Sequence, residues 1–137
     1  MIIVSACLAG VKCRYDGTAK PCEKVISLVK EGKAISVCPE QLGGLSTPRV
    51  ASEQVGNKVI SKDGKDVTAE FVKGAEAALK IAKLAGCKVA VLKSKSPSCG
   101  CGMVYDGSFS GKFRKGDGVF TALLKKNKIK VITEEDI

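Results

Sequence analysis

The sequence contains no histidine and no tryptophan, and aromatic residues make up only 4% of it. Without histidine the commonest general base and the commonest nitrogen ligand are gone, so proton transfer and metal binding fall to carboxylate, hydroxyl and thiol groups. Scarce aromatics imply an aliphatic, alanine-rich core and argue against an RNA-binding module, which needs stacking side chains. No run approaches the roughly 18 apolar residues of a membrane span. The apolar start "MIIVSACLAG" is short and lacks a basic flank, so it reads as a buried strand and not as a signal peptide. A cytoplasmic setting is expected. No C-x-x-C pair occurs, which disfavours an ordinary closed zinc site.

What is present suits one domain over residues 1–137, with 45% hydrophobic and 27% charged residues. Lysine and arginine number 23 against 14 acidic residues, a formal charge of +9 that would attract anions. Stretches such as "LLKKNKIK" and "GKFRKGDG" equally suit a solvated surface. The seven cysteines are odd in number and scattered, so reduced thiols are the default. Such thiols are either small buried hydrophobes or ligands and nucleophiles.

Apolar runs at 2–5, 34–37, 88–93 and 129–133 predict strands. Helices are predicted over 21–30, 67–85 and 118–127, the longest capped by Asp66 or Thr68 and closed by Gly86. Between the second strand and the long helix, two β-like pieces around Asp63-Gly64 predict a hairpin insert, and "CPEQLGGLSTPR" is expected to be irregular. The alternation predicts an α/β fold: a three-layer Rossmann-like domain with a mostly parallel sheet and a small β-hairpin insert. The two "YDG" triplets, at 15–17 and 105–107, read as turns.

Cys7 and Cys38 stand just past the first two strands, and Cys99 lies in the loop leaving the third. In a parallel sheet these ends share one edge, where open α/β proteins bind ligands. Cys22 and Cys87 read as packing residues, and Cys13 and Cys101 as intermediate cases. Cys99-x-Cys101 is too tight for a usual zinc knuckle, though it could serve with Cys101 as a fourth ligand. A cubane iron–sulfur cluster tolerates dispersed ligands, and held by three cysteines it keeps one iron open to a soft sulfur substrate.

The segments "SACLAGVKCRYDG" (5–17), "CPEQLGGLSTPR" (38–49), "GKDVTAEFVKGAEAAL" (64–79), "KSKSPSCGCGMVYDGSFSG" (93–111) and "GDGVFTALL" (116–124) carry a resemblance over nearly the whole chain. They resemble the bacterial family long catalogued as a domain of unknown function, whose characterised members include thiouracil desulfidase. The resemblance implies a 4Fe-4S cluster on Cys7, Cys38 and Cys99 whose open iron takes the sulfur of a thiolated pyrimidine, with water replacing that sulfur. It also implies Glu40 and Ser96 as catalytic groups. Arg49 and Ser98 are expected to contact or orient the substrate. If the substrate is a nucleotide, Arg14, Arg49, Lys93 and Lys95 could bind its phosphate, while Lys112, Arg114 and Lys115 better suit the surface. If Cys13 or Cys101 reached the fourth iron, the site would be closed. The rival readings are a non-catalytic metal- or cluster-binding module and, ranked lower, a basic RNA-binding module.

Overall fold

The computed structural model describes residues 1–137. In chain order the elements are β1 (Ile2–Ser5), a 3-10 turn (Ala6–Ala9), α1 (Glu23–Lys30), β2 (Ala34–Val37), α2 (Pro39–Leu42), β3 (Ser52–Val55) and β4 (Lys58–Ser61). They continue with α3 (Thr68–Leu84), β5 (Val89–Leu92), β6 (Met103–Tyr105), β7 (Phe113–Lys115), α4 (Val119–Lys126), β8 (Lys130–Thr133) and a final 3-10 turn (Glu134–Asp136).

The apolar four-residue runs pair as a parallel sheet in the order β2-β1-β5-β8, with Ile2 opposite both Ala34 and Val89 and Val89 opposite Lys130. Alternate residues face opposite sides. Ile3, Ala90, Leu92 and Val131 pack with Ala75, Ala78 and Ala82 of α3 and with Phe120 and Leu124 of α4. On the other side Val4, Val91 and Ala34 pack with Val25 of α1 and Leu8 of the first 3-10 turn. The three layers and the mostly parallel sheet therefore match the expected class.

Local departures from the expected elements have simple causes. "CPEQLGGLSTPR" is not wholly irregular, because Pro39 starts the single helical turn α2, a position where a missing N–H costs nothing. The hairpin β3–β4 turns at Gly56-Asn57, while Asp63-Gly64 makes a second turn in which Gly64 N–H bonds Ser61 O. The loop after β5 contains an unexpected antiparallel ribbon, β6–β7. Asp66 accepts Thr68 N–H at 2.9 Å ahead of α3, whereas the Thr68 hydroxyl accepts Val59 N–H from the hairpin.

Helix α2 lies on α3 with backbones touching. A Cβ on Gly43 would stand 2.0 Å from Glu70 O, and one on Gly74 only 1.8 Å from Pro39 O. Glycine at both places lets α2, which carries the residues following Cys38, seat against the rigid long helix.

Candidate active site and metal centre

In the order β2-β1-β5-β8 the chain leaves β1 to one neighbour and later returns to the other side, so the C-terminal ends of β1 and β5 flank a topological switch point. A cavity of about 350 Å³ opens there. Cys7 reaches it from the turn after β1, Cys38 and Glu40 from the start of α2, and Ser96 and Cys99 from the loop after β5. Cys13 also lines it.

The structure thus separates the seven thiols, all of them free. Cys101 lies outside the cavity with its Sγ 3.7 Å from Val131 O, and Cys22 and Cys87 pack in the two core clusters. Cys38 Sγ lies 3.8 Å from Cys13 O. Contact with Cys38 lowers the Cys13 thiol, but contact with Cys7 and burial outweigh it, and its pKa is pushed up to about 11. The Cys13 contact and burial raise Cys38 strongly, opposed by the Gln41 N–H that points at its sulfur. Burial pushes Cys99 up to about 12, against hydroxyl contacts from Ser5 and Ser98 that favour the thiolate.

No group of three or more cysteine and carboxylate side chains is drawn close enough together to hold a single metal ion. Cys7, Cys38 and Cys99 line one cavity, each from a different loop. That arrangement fits a cluster, which takes each thiolate on a different iron, better than a mononuclear ion. A second fitting feature is the Ser98 hydroxyl, which is fully buried and has no hydrogen-bond partner. It lies beside the Cys99 sulfur, where a metal-bound thiolate would accept a hydrogen bond from its O–H.

Glu40 and Arg49 form a largely buried ion pair in the site, with Nε 3.1 Å from Oε1. Desolvation raises the Glu40 pKa, moderated by the Arg49 charge and hydrogen bond. Arg49 also donates to Ser46 O, to Thr47 Oγ1 and, through Nη2, to Cys13 O at 3.0 Å. It ties the Cys13 loop, α2 and the 46–49 loop into one unit.

Comparison with known proteins adds to this geometry. The family model of 2-thiouracil desulfurase matches residues 2–136. The chain belongs to the 2-thiouracil desulfurase family. The uncharacterized protein YbbK of Bacillus subtilis is 44% identical over 147 residues, covering 100% of this chain and 97% of YbbK. The solved structure of the 4Fe-4S-dependent thiouracil desulfidase TudS superposes with a TM-score of 0.95 at 46% identity, covering 99% of this chain and 91% of that one.

Within this 2-thiouracil desulfurase family member, the loop after β5 is held by hydrogen bonds that the motif did not advertise. Ser96 Oγ accepts the N–H groups of Ser98 and Cys99 at 3.1 and 3.0 Å. The first amides of α4 are satisfied by the same loop: Val119 N–H by Pro97 O and Phe120 N–H by Ser98 O. Thr121 Oγ1 donates to Cys99 O at 2.8 Å. Ser98, expected to touch substrate, does not line the cavity, because the turn fixed by Ser96 points its side chain inward. Lys93, a candidate phosphate ligand, is held by Glu134 at 3.1 Å, and Glu134 also accepts from Ser94 N and Oγ.

The sequence reading missed four further residues that line the cavity, Tyr15, Glu53, Tyr105 and Phe109. The repeated "YDG" was the available signal. Both triplets are turns in which the aspartate accepts the amide and hydroxyl two residues on, and each presents its tyrosine to the cavity.

Proposed function

We propose that this protein is an iron–sulfur-dependent desulfidase acting on a thiouracil-like pyrimidine, working as one domain in the reducing cytoplasm and producing the oxo-pyrimidine and sulfide. The observation that carries the reading is the joint lining of one cavity by Cys7, Cys38 and Cys99 from three different strand ends. Family membership and the likeness to TudS support it. Cys7, Cys38 and Cys99 would hold the cluster, with Cys13 left as a protonated thiol beside it. When bound, the cluster supplies a Lewis-acidic iron with a preference for the substrate's sulfur.

The overall change adds water across a C=S carbon and releases hydrogen sulfide, so protons must travel from water to the departing sulfur. Glu40 is suited to carry them, since burial lifts its pKa toward the range where a carboxylate both takes and returns a proton. Arg49 acts through Glu40: four of its N–H bonds go to protein acceptors, so it is a positioning residue and not a direct substrate ligand. Ser96 has its oxygen engaged by two amides, which leaves its O–H to donate into the cavity and orient water or the ring. A nucleotide substrate would present its phosphate to Arg14 and Lys95, which also line the cavity.

The test is sulfide release from thiouracil by anaerobically purified protein. Release that depends on the cluster's visible absorbance supports the reading. A coloured protein that releases none would instead be a non-catalytic cluster carrier.

A further inference from the structure

Aromatic side chains are scarce here, only two tyrosines and four phenylalanines, yet they are not spread evenly. Phe71 and Phe120 are fully buried in the core, whereas Tyr15, Tyr105 and Phe109 line the cavity of the thiols. Phe113 backs Tyr105 with ring centroids 4.7 Å apart. Phe109 sits at φ +55°, a left-handed conformation that a bulky residue adopts only when its surroundings enforce it.

The enforcing group is Glu53. This carboxylate is 8% exposed, and its Oε1 accepts the N–H groups of both Gly107 and Phe109, at 2.9 and 3.2 Å. Gly107, at φ +94°, lies so close to β3 that a Cβ would stand 2.5 Å from Gln54 O. The neighbouring Gln54 donates to Pro97 O at 3.1 Å and to Asp117 O at 2.8 Å, which ties the same strand to the Cys99 loop. A strained aromatic residue is therefore fixed, through β3, relative to the thiols with which it shares a cavity.

We propose that Phe109 is the ring-binding and specificity-determining residue of the site, stacking on a flat heteroaromatic ring, and that Glu53 is the positioning residue that aims it. The identity of the ring rests on the desulfidase reading; the aromatic wall does not. A planar π-face is what an otherwise aromatic-poor chain would need at a site for a pyrimidine, and stacking of one base on one side chain gives about tenfold or more in affinity.

The experiment uses the anaerobic holoprotein and measures the Kd for uracil by calorimetry together with kcat and KM for thiouracil. Uracil has the ring without the sulfur, so its binding reads the wall and not a sulfur–iron contact. Phe109→Leu should weaken uracil and raise KM about tenfold, with kcat and cluster absorbance nearly unchanged, and Phe109→Tyr should retain wild-type values. Glu53→Ala should act like Phe109→Leu, and Glu53→Gln, which keeps an acceptor oxygen, should recover most of the loss. Unchanged uracil binding and KM in Phe109→Leu, or a wild-type protein that does not bind uracil, would overturn the proposal. Wild-type protein that binds uracil through Phe109 yet releases no sulfide would leave the wall standing and remove the desulfidase reading.

Discussion

Glu40 and Arg49 form a largely buried ion pair at the cavity. Because burial raises the Glu40 pKa, its proton-accepting form is lost at a higher pH than that of an exposed glutamate. We expect kcat/KM to fall as pH drops through that raised value, and Glu40→Gln to lose sulfide release at least about a hundredfold while retaining cluster absorbance. A pH–rate profile of the two proteins checks this. The effect of Glu40 on folding has the opposite sign. The folded state holds the proton that the unfolded state gives up, so the Glu40 contribution to stability declines from the ordinary glutamate range up to the folded value and is flat above it. Arg49→Ala removes the only cation bonded to this carboxylate and should shift the acid limb of the rate profile further up in pH. Its cost in stability should be about 3 kcal/mol, measured by denaturant unfolding.

At the scale of elements, the site depends on short pieces seated against long ones. The Gly43–Gly74 approach fixes α2 on α3, so Gly74→Ala must push α2 outward and with it Cys38 and Glu40. We expect a loss of about 2 kcal/mol in urea unfolding together with reduced iron content, whereas Ala77→Gly on the same helix should lower stability by about 1 kcal/mol with iron retained. Gly118 plays the equivalent part for α4, where a Cβ would stand 2.3 Å from Ser98 C and O in the cysteine loop. These elements also mark how far the sequence could be read. The strands "IIVS", "AISV" and "VAVL" and the alanine-faced α3 were legible because a run buried on both faces and a 3.6-residue repeat are strong patterns. Helix α2 was hidden because one turn among glycines and prolines has no period. The β6–β7 ribbon was hidden because strands of three residues, partly exposed and separated by a serine- and glycine-rich loop, show no alternation. The shared strand-end placement of the three cysteines was legible from topology alone, but the placement of Phe109 and Glu53 was not, since it comes from a long-range latch between β3 and the 106–112 loop.

For the molecule as a whole, the β2-β1-β5-β8 order brings residues 7, 38 and 99, far apart in sequence, to one edge. The outer strand β8 braces that arrangement at the same end of the sheet, because Glu134 after β8 bonds Lys93 and Ser94 after β5. Burial raises the Glu134 pKa, but the bonds to Ser94 and Lys93 outweigh it and hold the folded value below the ordinary one. Its stabilisation is therefore present above the ordinary glutamate range and lost as pH falls through the depressed value. Thermal unfolding of Glu134→Gln should show a lower Tm than wild type at neutral pH and a smaller difference in acid. No helix is long and apolar enough to cross a membrane. On the desulfidase reading, three thiols and not four hold the cluster. Iron and acid-labile sulfide per chain, measured anaerobically for wild type and the four single alanine variants of Cys7, Cys13, Cys38 and Cys99, test it most directly. About four irons per chain are expected in wild type and in Cys13→Ala, and almost none in the other three. Loss of iron in Cys13→Ala, or its retention in any of the other three, would contradict it.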